Sequence, residues 1–576
     1  PFLFSHPQRY TISMSHQPPQ LPPSIHRHRV HQHLPWLLLT VILALGAVLR
    51  YLGIFWGLPD STHIFSYHPD EFHSLRGALS LILGGDFNPH FFNYGSLYLY
   101  LVSLAALLAD SSAVGNVTAE GLTQMLRDWT IAARNLNIIC ALLTILVVYF
   151  TARSLFGRRL GILAAFAMAV LPLHVLHSDY ATVDVPQTLF IALALLFSVK
   201  IGKRPRTADY LYAGLFAGLA ASVKYNGGLV VIAPLIAHFA AARDEDSEVP
   251  LLSWQPLAMI LLSAVAFAAT SPYTFLDWSN ASRDITYELQ HMRAGEEPAR
   301  AADPNGFLFH ALGLTITTCG ATIVALIGII GLFVRRIWRP ALGLLIFSAI
   351  WFVMISLSNV RYGRYEVPLT PILALLVAAA PYALYLRRAE LRLLAVVLPA
   401  AVIGFSLGVS LILSTTLRNT PDPRDAALST VQLRVPPARN VGLAWEPWFN
   451  SPPLDRCNGG QVLRSNPLWS QFKAPVRPLV ITGVDPQALS AQKPFAFALS
   501  NFEIRDALRV KDQRAIQFRD LLRDRYIPAD VLQRPAPLSG LLGWVPPQDW
   551  LYPFPTETIY VTRLPAPPAR PIVKGF

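Results

Sequence analysis

The sequence predicts an all-α polytopic membrane protein of about eleven transmembrane helices, followed by a C-terminal extracytoplasmic domain of mixed α/β type. Two observations carry this prediction. Of the 576 residues, 53% are hydrophobic and only 14% are charged, a balance typical of polytopic membrane proteins. The apolar residues also occur in runs of near-bilayer length, whereas the chain after about Arg418 is polar and rich in Pro.

The net charge of +12 would suit a nucleic-acid-binding protein if the basic residues formed one face. They lie instead in short loops between apolar runs, where Lys and Arg set membrane orientation and contact anionic lipid headgroups. We therefore expect the lipid bilayer as a partner and no nucleic acid. The 3 cysteines support neither a disulfide framework nor a cysteine-based metal site.

Composition divides the chain into three parts. Residues 1–34 are rich in Pro, His and Gln and predict a disordered cytoplasmic arm, residues 35–415 a transmembrane domain, and residues 416–576 an extracytoplasmic domain. In the last part, short apolar runs such as Pro478–Val484 and Phe495–Leu499 alternate with turn residues, which predicts strands.

The basic loops predict the orientation of the spans. Arg27 and Arg29 precede the first span and place the N-terminus in the cytoplasm. Carried forward, this orientation places each later basic cluster on the cytoplasmic side. The predicted spans are Leu34–Leu52, Ile131–Thr151, Leu160–Leu176, Leu189–Val199, Leu211–Val223, Leu229–Ala241, Leu257–Ala269, Leu312–Val334, Leu342–Leu357, Ile372–Leu386 and Leu393–Leu413.

One apolar segment must not cross if this orientation holds. A crossing by Leu97–Leu108 would invert every basic loop after it. The segment is therefore predicted to be a re-entrant or interfacial helix of the first external loop.

The stretch from His68 to Leu101 is the centre of the predicted site. It places Asp70 and Glu71 next to each other just beyond the first span. Because carboxylates beside hydrocarbon cost free energy, such a pair indicates a functional site, although a solvated loop is the plainer alternative.

Other charged and aromatic residues fall on the same predicted external face. Cations and tyrosine hydroxyls bind phosphate oxygens, while a carboxylate accepts a proton from an attacking hydroxyl group. The set suits an amphiphilic, anionic substrate such as a lipid-linked phosphate. Its members are Tyr94, Arg134, His177, Asp179, Asp184, Lys224, Tyr225, Asp277, Arg361 and Arg364.

Each residue also has a plainer explanation. Arg361 and Arg364 share a face and clamp one phosphate if their turn is helical, or they are ordinary topological arginines. Lys224 is costly within an apolar region unless it is paired or its ammonium group reaches the membrane interface, and Asp184 also suits a helix cap. We expect Arg134 to pair with one of the carboxylates. His68, His73 and His177 could bind a divalent metal with Asp70 or Glu71, but no cofactor is certain.

A series of motifs resembles a known superfamily. PDE is followed by GGDFNPHFFNYG, Ala133-Arg134, LFGRR, HSDYATVDVP, VKYNG and RYGRYEVPLTP. This order is similar to that of the GT-C polytopic glycosyltransferases, and most similar to bacterial relatives of protein O-mannosyltransferases and of the lipid A aminoarabinose transferase. The resemblance covers about residues 35–415.

The resemblance implies inverting transfer of a sugar from a polyprenyl-phosphate donor to a hydroxyl acceptor, outside the inner membrane of a bacterium. It implies that Asp70 is the general base, with Glu71 beside it, and that Asp184 orients donor or acceptor. Lys224, Arg361 and Arg364 match positions of basic residues near the lipid phosphate. The sugar and the acceptor, whether lipid, glycan or protein, stay open.

Two other classes compete with this interpretation. Intramembrane charges also mark the paths of transporters and flippases for lipid-linked or anionic solutes. The clustering of charge on one face and the large external tail favour the enzyme. A catalytically inactive assembly subunit is the third class, and the intact carboxylate pair argues against it.

Overall fold

The computed structural model describes residues 25–109, 118–243, 250–387, 392–456 and 478–563. Helices make up most of this part of the chain, and a single five-stranded sheet lies near the C-terminal end. The predicted fold class is confirmed. Residues 1–24 of the predicted arm and the tail from residue 564 lie outside the described residues, while residues 25–34 of the arm belong to the first helix.

The helices of the N-terminal part follow one another with short connections. In chain order they are α1 (Ile25–Gly53), α2 (Pro69–Gly84), α3 (Leu97–Ala109), α4 (Ala119–Phe156), α5 (Arg158–Val170), α6 (Pro172–Ser178), α7 (Asp184–Lys203), α8 (Thr207–Val223), α9 (Ile232–Ala242), α10 (Gln255–Thr270), α11 (Tyr273–Leu276), α12 (Trp278–Ala294), α13 (Ala299–Ala302), α14 (Gly306–Thr317), α15 (Ala321–Val334), α16 (Trp338–Leu357), α17 (Thr370–Arg387) and α18 (Arg392–Asn419), with 3₁₀ turns at Tyr225–Val231 and Gly363–Leu369.

The C-terminal part combines short helices with the sheet. Its elements are α19 (Pro423–Arg434), β1 (Val441–Leu443), β2 (Leu479–Ile481), α20 (Pro486–Gln492), β3 (Ala496–Ser500), α21 (Asn501–Arg509), α22 (Gln513–Arg525), β4 (Tyr526–Gln533), α23 (Gln548–Leu551) and β5 (Thr556–Thr562). The predicted strand segments thus hold β2 and β3.

Within the described residues, seven helices are long and apolar enough to cross a membrane, or up to nine if each of two bent pairs is one span. The count of about eleven stays a prediction. The span predicted over Leu312–Val334 is not one helix: α14 and α15 meet at 95°. Cys319 (φ 54°) and Gly320 (φ 81°) adopt positive φ at the break, a conformation that ends a helix. α5 and α6 are bent by 58°.

The segment predicted not to cross is α3. Its 13 residues extend about 20 Å, which is less than the thickness of the hydrocarbon core. It packs against α2 and α4. The length agrees with the prediction, and the position at the membrane interface stays a prediction.

Small residues allow neighbouring helices to approach closely, as is common in membrane proteins. A Cβ atom on Gly328 of α15 would lie 1.9 Å from the carbonyl oxygen of Leu376 in α17. In α8, a Cβ atom on Gly214 would lie 2.3 Å from the carbonyl oxygen of Met259 in α10. A larger side chain at either glycine would therefore force these helices apart.

The sheet has the strand order β2-β1-β3-β5-β4. β1 is parallel to β2 and β3, whereas β5 is antiparallel to β3 and β4. Alternate residues of β3 face opposite sides: Ala496 and Ala498 pack with α19, while Phe497 and Leu499 pack with α21 and α22. Both faces of β3 are thus covered, and all five of its residues are buried.

The segment around α23 packs directly against the helices of the N-terminal part. Trp550, Tyr552 and Phe554 are buried in the main apolar cluster, together with residues of α4, α7 and α17. This contact brings the segment around α23 to the loops that carry the predicted site.

Candidate active site

The sequence His68-Pro69-Asp70-Glu71 forms the start of α2. The Nδ1 atom of His68 accepts a hydrogen bond of 3.2 Å from the backbone N–H of Asp70. Pro69 suits the first helical position, and acidic residues in the first turn interact favourably with the helix dipole. Burial lowers the pKa of His68 to about 4, so that its ring is neutral and accepts this hydrogen bond at neutral pH.

Glu71 points into the protein interior and pairs with Arg134. Both carboxylate oxygens accept hydrogen bonds of 2.8 Å from the guanidinium group, and both side chains are fully buried. Glu71 also accepts the N–H of Ala181, and Arg134 donates to the carbonyl oxygens of Ile54 and Trp56. Burial raises the pKa of Glu71, but Arg134 outweighs this effect and holds it below its usual value. The predicted pairing of Arg134 with a carboxylate is confirmed.

Asp70 points in a different direction and meets Arg364. Its Oδ2 atom lies 2.8 Å from Nη1 of Arg364, and 16% of the Asp70 side chain is exposed. The guanidinium group of Arg364 lies 4.0 Å from the ring centroid of Tyr362. Burial raises the pKa of Asp70, but the charge of Arg364 leaves it below the usual value.

A second carboxylate–cation pair joins Asp184 and Lys224. Asp184 is the first residue of α7, and Lys224 follows the end of α8, where the chain turns into the 3₁₀ helix. Nζ of Lys224 donates a hydrogen bond of 2.8 Å to Oδ1 of Asp184. The predicted pairing of Lys224 is therefore confirmed.

Aromatic rings surround this second pair. Nζ of Lys224 lies 5.0 Å from the ring centroid of Tyr365 and 5.7 Å from that of Tyr94. Arg364 also lies over the ring of Tyr365, at 5.7 Å. The two cations thus converge on one ring, at a distance where cation–π attraction is favourable. The site joins Asp70, Arg364, Asp184 and Lys224.

Tyr94, Tyr225 and His177 occupy different places around this site. The loop of Tyr94 approaches α8 so closely that a Cβ atom on Gly95 would lie 2.1 Å from the carbonyl oxygen of Ser222. The hydroxyl group of Tyr225 donates to the carbonyl oxygen of Phe92 at 3.0 Å and so fixes the same loop. His177 is buried, with Nε2 4.0 Å from Oδ2 of Asp549.

The helical turn that would let Arg361 and Arg364 clamp one phosphate is not present. The 3₁₀ helix begins only at Gly363, so that Arg361 precedes it and does not share a helical face with Arg364. Nε of Arg361 donates to the carbonyl oxygen of Asp303 at 3.3 Å. Arg361 lines a separate polar cleft beside Arg300 and Arg505.

Several residues at the site were not predicted from the sequence. Asp549 contacts the backbone of Arg364, the Tyr552 ring packs on His68, and Tyr362 and Tyr365 support Arg364. The two tyrosines flank a predicted arginine, which is a signal that could have been used. Asp549 and Tyr552 lie in a Pro-rich segment without such a signal.

A metal site is not apparent among the described residues: no group of three or more His, Cys, Asp or Glu side chains is arranged to hold a metal ion there. Glu71 is occupied by Arg134, and Asp70 by Arg364. The arrangement instead offers a partly exposed carboxylate and two cations that an anionic group could bridge.

Comparisons with known proteins agree with the motifs. Residues 110–275 match the family described as dolichyl-phosphate-mannose-protein mannosyltransferase. This stretch includes Arg134, His177, Asp184 and Lys224. A comparison with curated proteins gives no match.

Among solved structures, the chain is similar to the oligosaccharyltransferase AglB from Archaeoglobus fulgidus, in complex with an inhibitory peptide and a dolichol-phosphate. The TM-score is 0.53 at 13% identity, over 86% of this chain and 73% of that chain. ArnT from Cupriavidus metallidurans, bound to undecaprenyl phosphate, aligns with 91% of this chain and 97% of its own length, at 17% identity and a TM-score of 0.48. The second score is too low to add support for the fold.

The family match and the AglB fold point in the same direction as the sequence motifs. Because identity to AglB is low, the structural likeness concerns the fold alone. The predicted resemblance is confirmed: residues 110–275 match a mannosyltransferase family, and the fold is similar to that of AglB.

Proposed function

We propose that this protein transfers a sugar from a polyprenyl-phosphate donor to an acceptor hydroxyl group, with inversion, on the extracytoplasmic face of a bacterial inner membrane. The observation that carries the proposal is the convergence of Arg364 and Lys224 on the ring of Tyr365, each with a carboxylate partner. Two cations so placed suit one phosphate group. AglB was solved with a dolichol-phosphate, which supports this donor class.

The donor phosphate would bind by competing with Asp70 for Arg364. Without donor, Arg364 neutralises Asp70 and makes it a weak base. A phosphate that takes the guanidinium group leaves Asp70 with a weaker cationic partner, and its pKa rises. Donor binding would thus turn Asp70 into a stronger base only when the sugar is in place.

Asp70 then accepts the proton of the acceptor hydroxyl group as the hydroxyl oxygen attacks the anomeric carbon. The new C–O bond forms on the face opposite the phosphate. The old bond from the anomeric carbon to the phosphate oxygen breaks, and its electron pair stays on the phosphate. Arg364 and Lys224 stabilise this charge in a largely buried site, where such interactions are strong.

Glu71 takes no proton in this scheme, since Arg134 occupies both of its oxygens. Asp184 keeps Lys224 in place.

The prenyl chain would lie in an apolar cleft between α14, α15, α16 and α17, which has a volume of about 580 Å³ and is lined in part by Leu369 and Ile372. Leu369 ends the 3₁₀ helix that carries Arg364, so the cleft begins near the phosphate position.

The test uses purified protein in nanodiscs with a panel of radiolabelled polyprenyl-phosphate sugars. Release of free polyprenyl phosphate is measured for the wild type, Asp70→Asn and the control Asp520→Asn, whose side chain is half-exposed beside Arg519. We expect release from one donor by the wild type and the control, and none by Asp70→Asn. Saturable binding without release, unchanged in Asp70→Asn, would favour a transporter or flippase and refute the proposal.

A further inference from the structure

Asp549 holds the backbone on which Arg364 is mounted. It is fully buried, and its Oδ1 and Oδ2 atoms accept the N–H groups of Gly363 and Arg364 at 3.1 and 2.7 Å. These N–H groups lie at the start of the 3₁₀ helix, where the helix itself supplies no acceptor. A carboxylate from a residue 185 positions further along the chain therefore caps this helix.

The clamp on two successive N–H groups determines where the Arg364 side chain points. Two backbone N–H groups that donate to one carboxylate fix both the position and the rotation of the turn. From this turn, the guanidinium group reaches Oδ2 of Asp70 at 2.8 Å and stacks on Tyr362 at 4.0 Å. The hydroxyl group of Tyr362 is in turn held by Glu296, at 2.9 and 3.1 Å.

The residues after α23 also reach the other partner of the pair. The ring of Tyr552 packs edge-on against that of His68, with centroids 5.0 Å apart. His68 caps the helix that carries Asp70. One short segment of the C-terminal part thus contacts the supports of both Asp70 and Arg364.

We infer that Asp549 is a positioning residue of the site, and that Gln548–Tyr552 completes the Asp70–Arg364 pair from the C-terminal part of the chain. The role of Asp549 in catalysis rests on the proposed function, but its contact with the Gly363–Arg364 turn can be tested without measuring activity. Loss of the clamp lets the Gly363–Arg364 turn rotate, and Arg364 leaves Asp70.

The first experiment measures the reactivity of single arginines in the full-length protein in detergent. Phenylglyoxal labels accessible guanidinium groups, and mass spectrometry of peptides gives the labelling rate of each arginine. Asp549→Asn places an amide N–H₂ group against a backbone N–H, so we expect labelling of Arg364 to rise about tenfold. Arg424, fully buried and paired with Asp422, should stay unlabelled, and Asp520→Asn should match the wild type.

An unchanged labelling rate of Arg364 in Asp549→Asn would overturn the inference. If Asp549→Asn also exposes Arg424, the protein has lost its general structure, and Asp549→Glu decides instead. Glu keeps two acceptor oxygens and should restore at least half of the protection of Arg364. If Arg364 is labelled as fast in Asp549→Glu as in Asp549→Ala, the inference is overturned.

The second experiment measures donor kinetics, once a donor is found. Because Arg364 is proposed to hold the donor phosphate and to stabilise the charge that develops on it, Asp549→Asn should raise KM for the lipid donor about tenfold and also lower kcat. A purely structural role would instead lower the active fraction and leave KM unchanged. If the wild type transfers no sugar from any donor, the proposed function fails, and the labelling result alone decides the inference.

Discussion

The carboxylate of Glu71 and the guanidinium group of Arg134 form a fully buried, bidentate pair with two hydrogen bonds of 2.8 Å. Glu71→Gln would leave the charge of Arg134 without its partner, so we expect the variant to be less stable by about 3–5 kcal/mol. Thermal unfolding in detergent, with Asp520→Asn as the control, measures this. A variant with wild-type stability and no activity would assign Glu71 to the chemistry instead.

The acid limb of the rate profile should depend on Arg364. The pKa of Asp70 lies below its usual value because Arg364 outweighs the effect of burial. Asp70 is thus ionised, and its pair with Arg364 contributes to stability, above the usual aspartate pKa. Both are lost as pH falls through the lowered pKa of Asp70 in the folded protein. In Arg364→Gln the pKa rises, and the acid limb of kcat/KM should move to higher pH. Identical acid limbs in the two proteins would contradict this.

The pair of Asp184 and Lys224 should show strong energetic coupling. Lys224→Met leaves Asp184 with an unpaired charge, and Asp184→Asn does the reverse. Because each single variant pays this cost and the double variant does not, we expect a coupling energy of about 1–3 kcal/mol in binding of polyprenyl phosphate. A double-mutant cycle with radiolabelled lipid gives the value. Additive effects would show that the two residues act independently.

Protonation of His68 should destabilise the protein in acid. Its pKa in the folded protein is about 4, lowered by burial from 6.5. The contribution of neutral His68 to the free energy of unfolding is complete above the pKa of the unfolded chain. It is lost as pH falls from about 6.5 to about 4 and amounts to about 3 kcal/mol. His68→Asn retains a good cap for α2 but does not titrate, so its stability should change less over this range. Unfolding at pH 7, 5.5 and 4 compares the two, and equal slopes would refute the assignment.

The buried pair of His310 and Glu366 should matter for stability and not for the reaction. Nδ1 of His310 lies 2.9 Å from Oε1 of Glu366, and both side chains are fully buried. Glu366→Ala leaves the buried ring of His310 without its hydrogen-bond partner and should cost about 1–3 kcal/mol, whereas His310→Leu combined with Glu366→Met should restore much of the loss. Unfolding of both variants and donor turnover at low temperature test this. Lost turnover in a stable double variant would place the pair in the mechanism.

The sequence was sufficient for the fold class and for much of the site. Hydrophobic runs separate the helices from the polar tail, and an unpaired Lys224 or Arg134 would be too costly in an apolar setting, so pairing could be inferred before the partners were known. Motif order then indicated the superfamily. These inferences depend on local composition and on the cost of burying charge.

The errors have a different origin. The turn after Arg361 depends on an acceptor supplied by Asp549, which is distant in sequence, so a helical face shared by Arg361 and Arg364 could not be excluded from local spacing. The break between α14 and α15 occurs within an apolar run, where mean hydropathy does not distinguish a bent pair from one helix. Both features follow from tertiary packing, which a local pattern does not encode.

The clamp by Asp549 also has a consequence for biogenesis. Arg364 leaves the ribosome 185 residues before Asp549, which corresponds to about 10–40 s of synthesis at the usual rate of elongation. During this interval the helices around Arg364 are inserted while the turn that carries it has no acceptor. If the proposed function holds, the site of the nascent chain is unfinished during this interval, and transferase activity begins only after translation has passed Asp549.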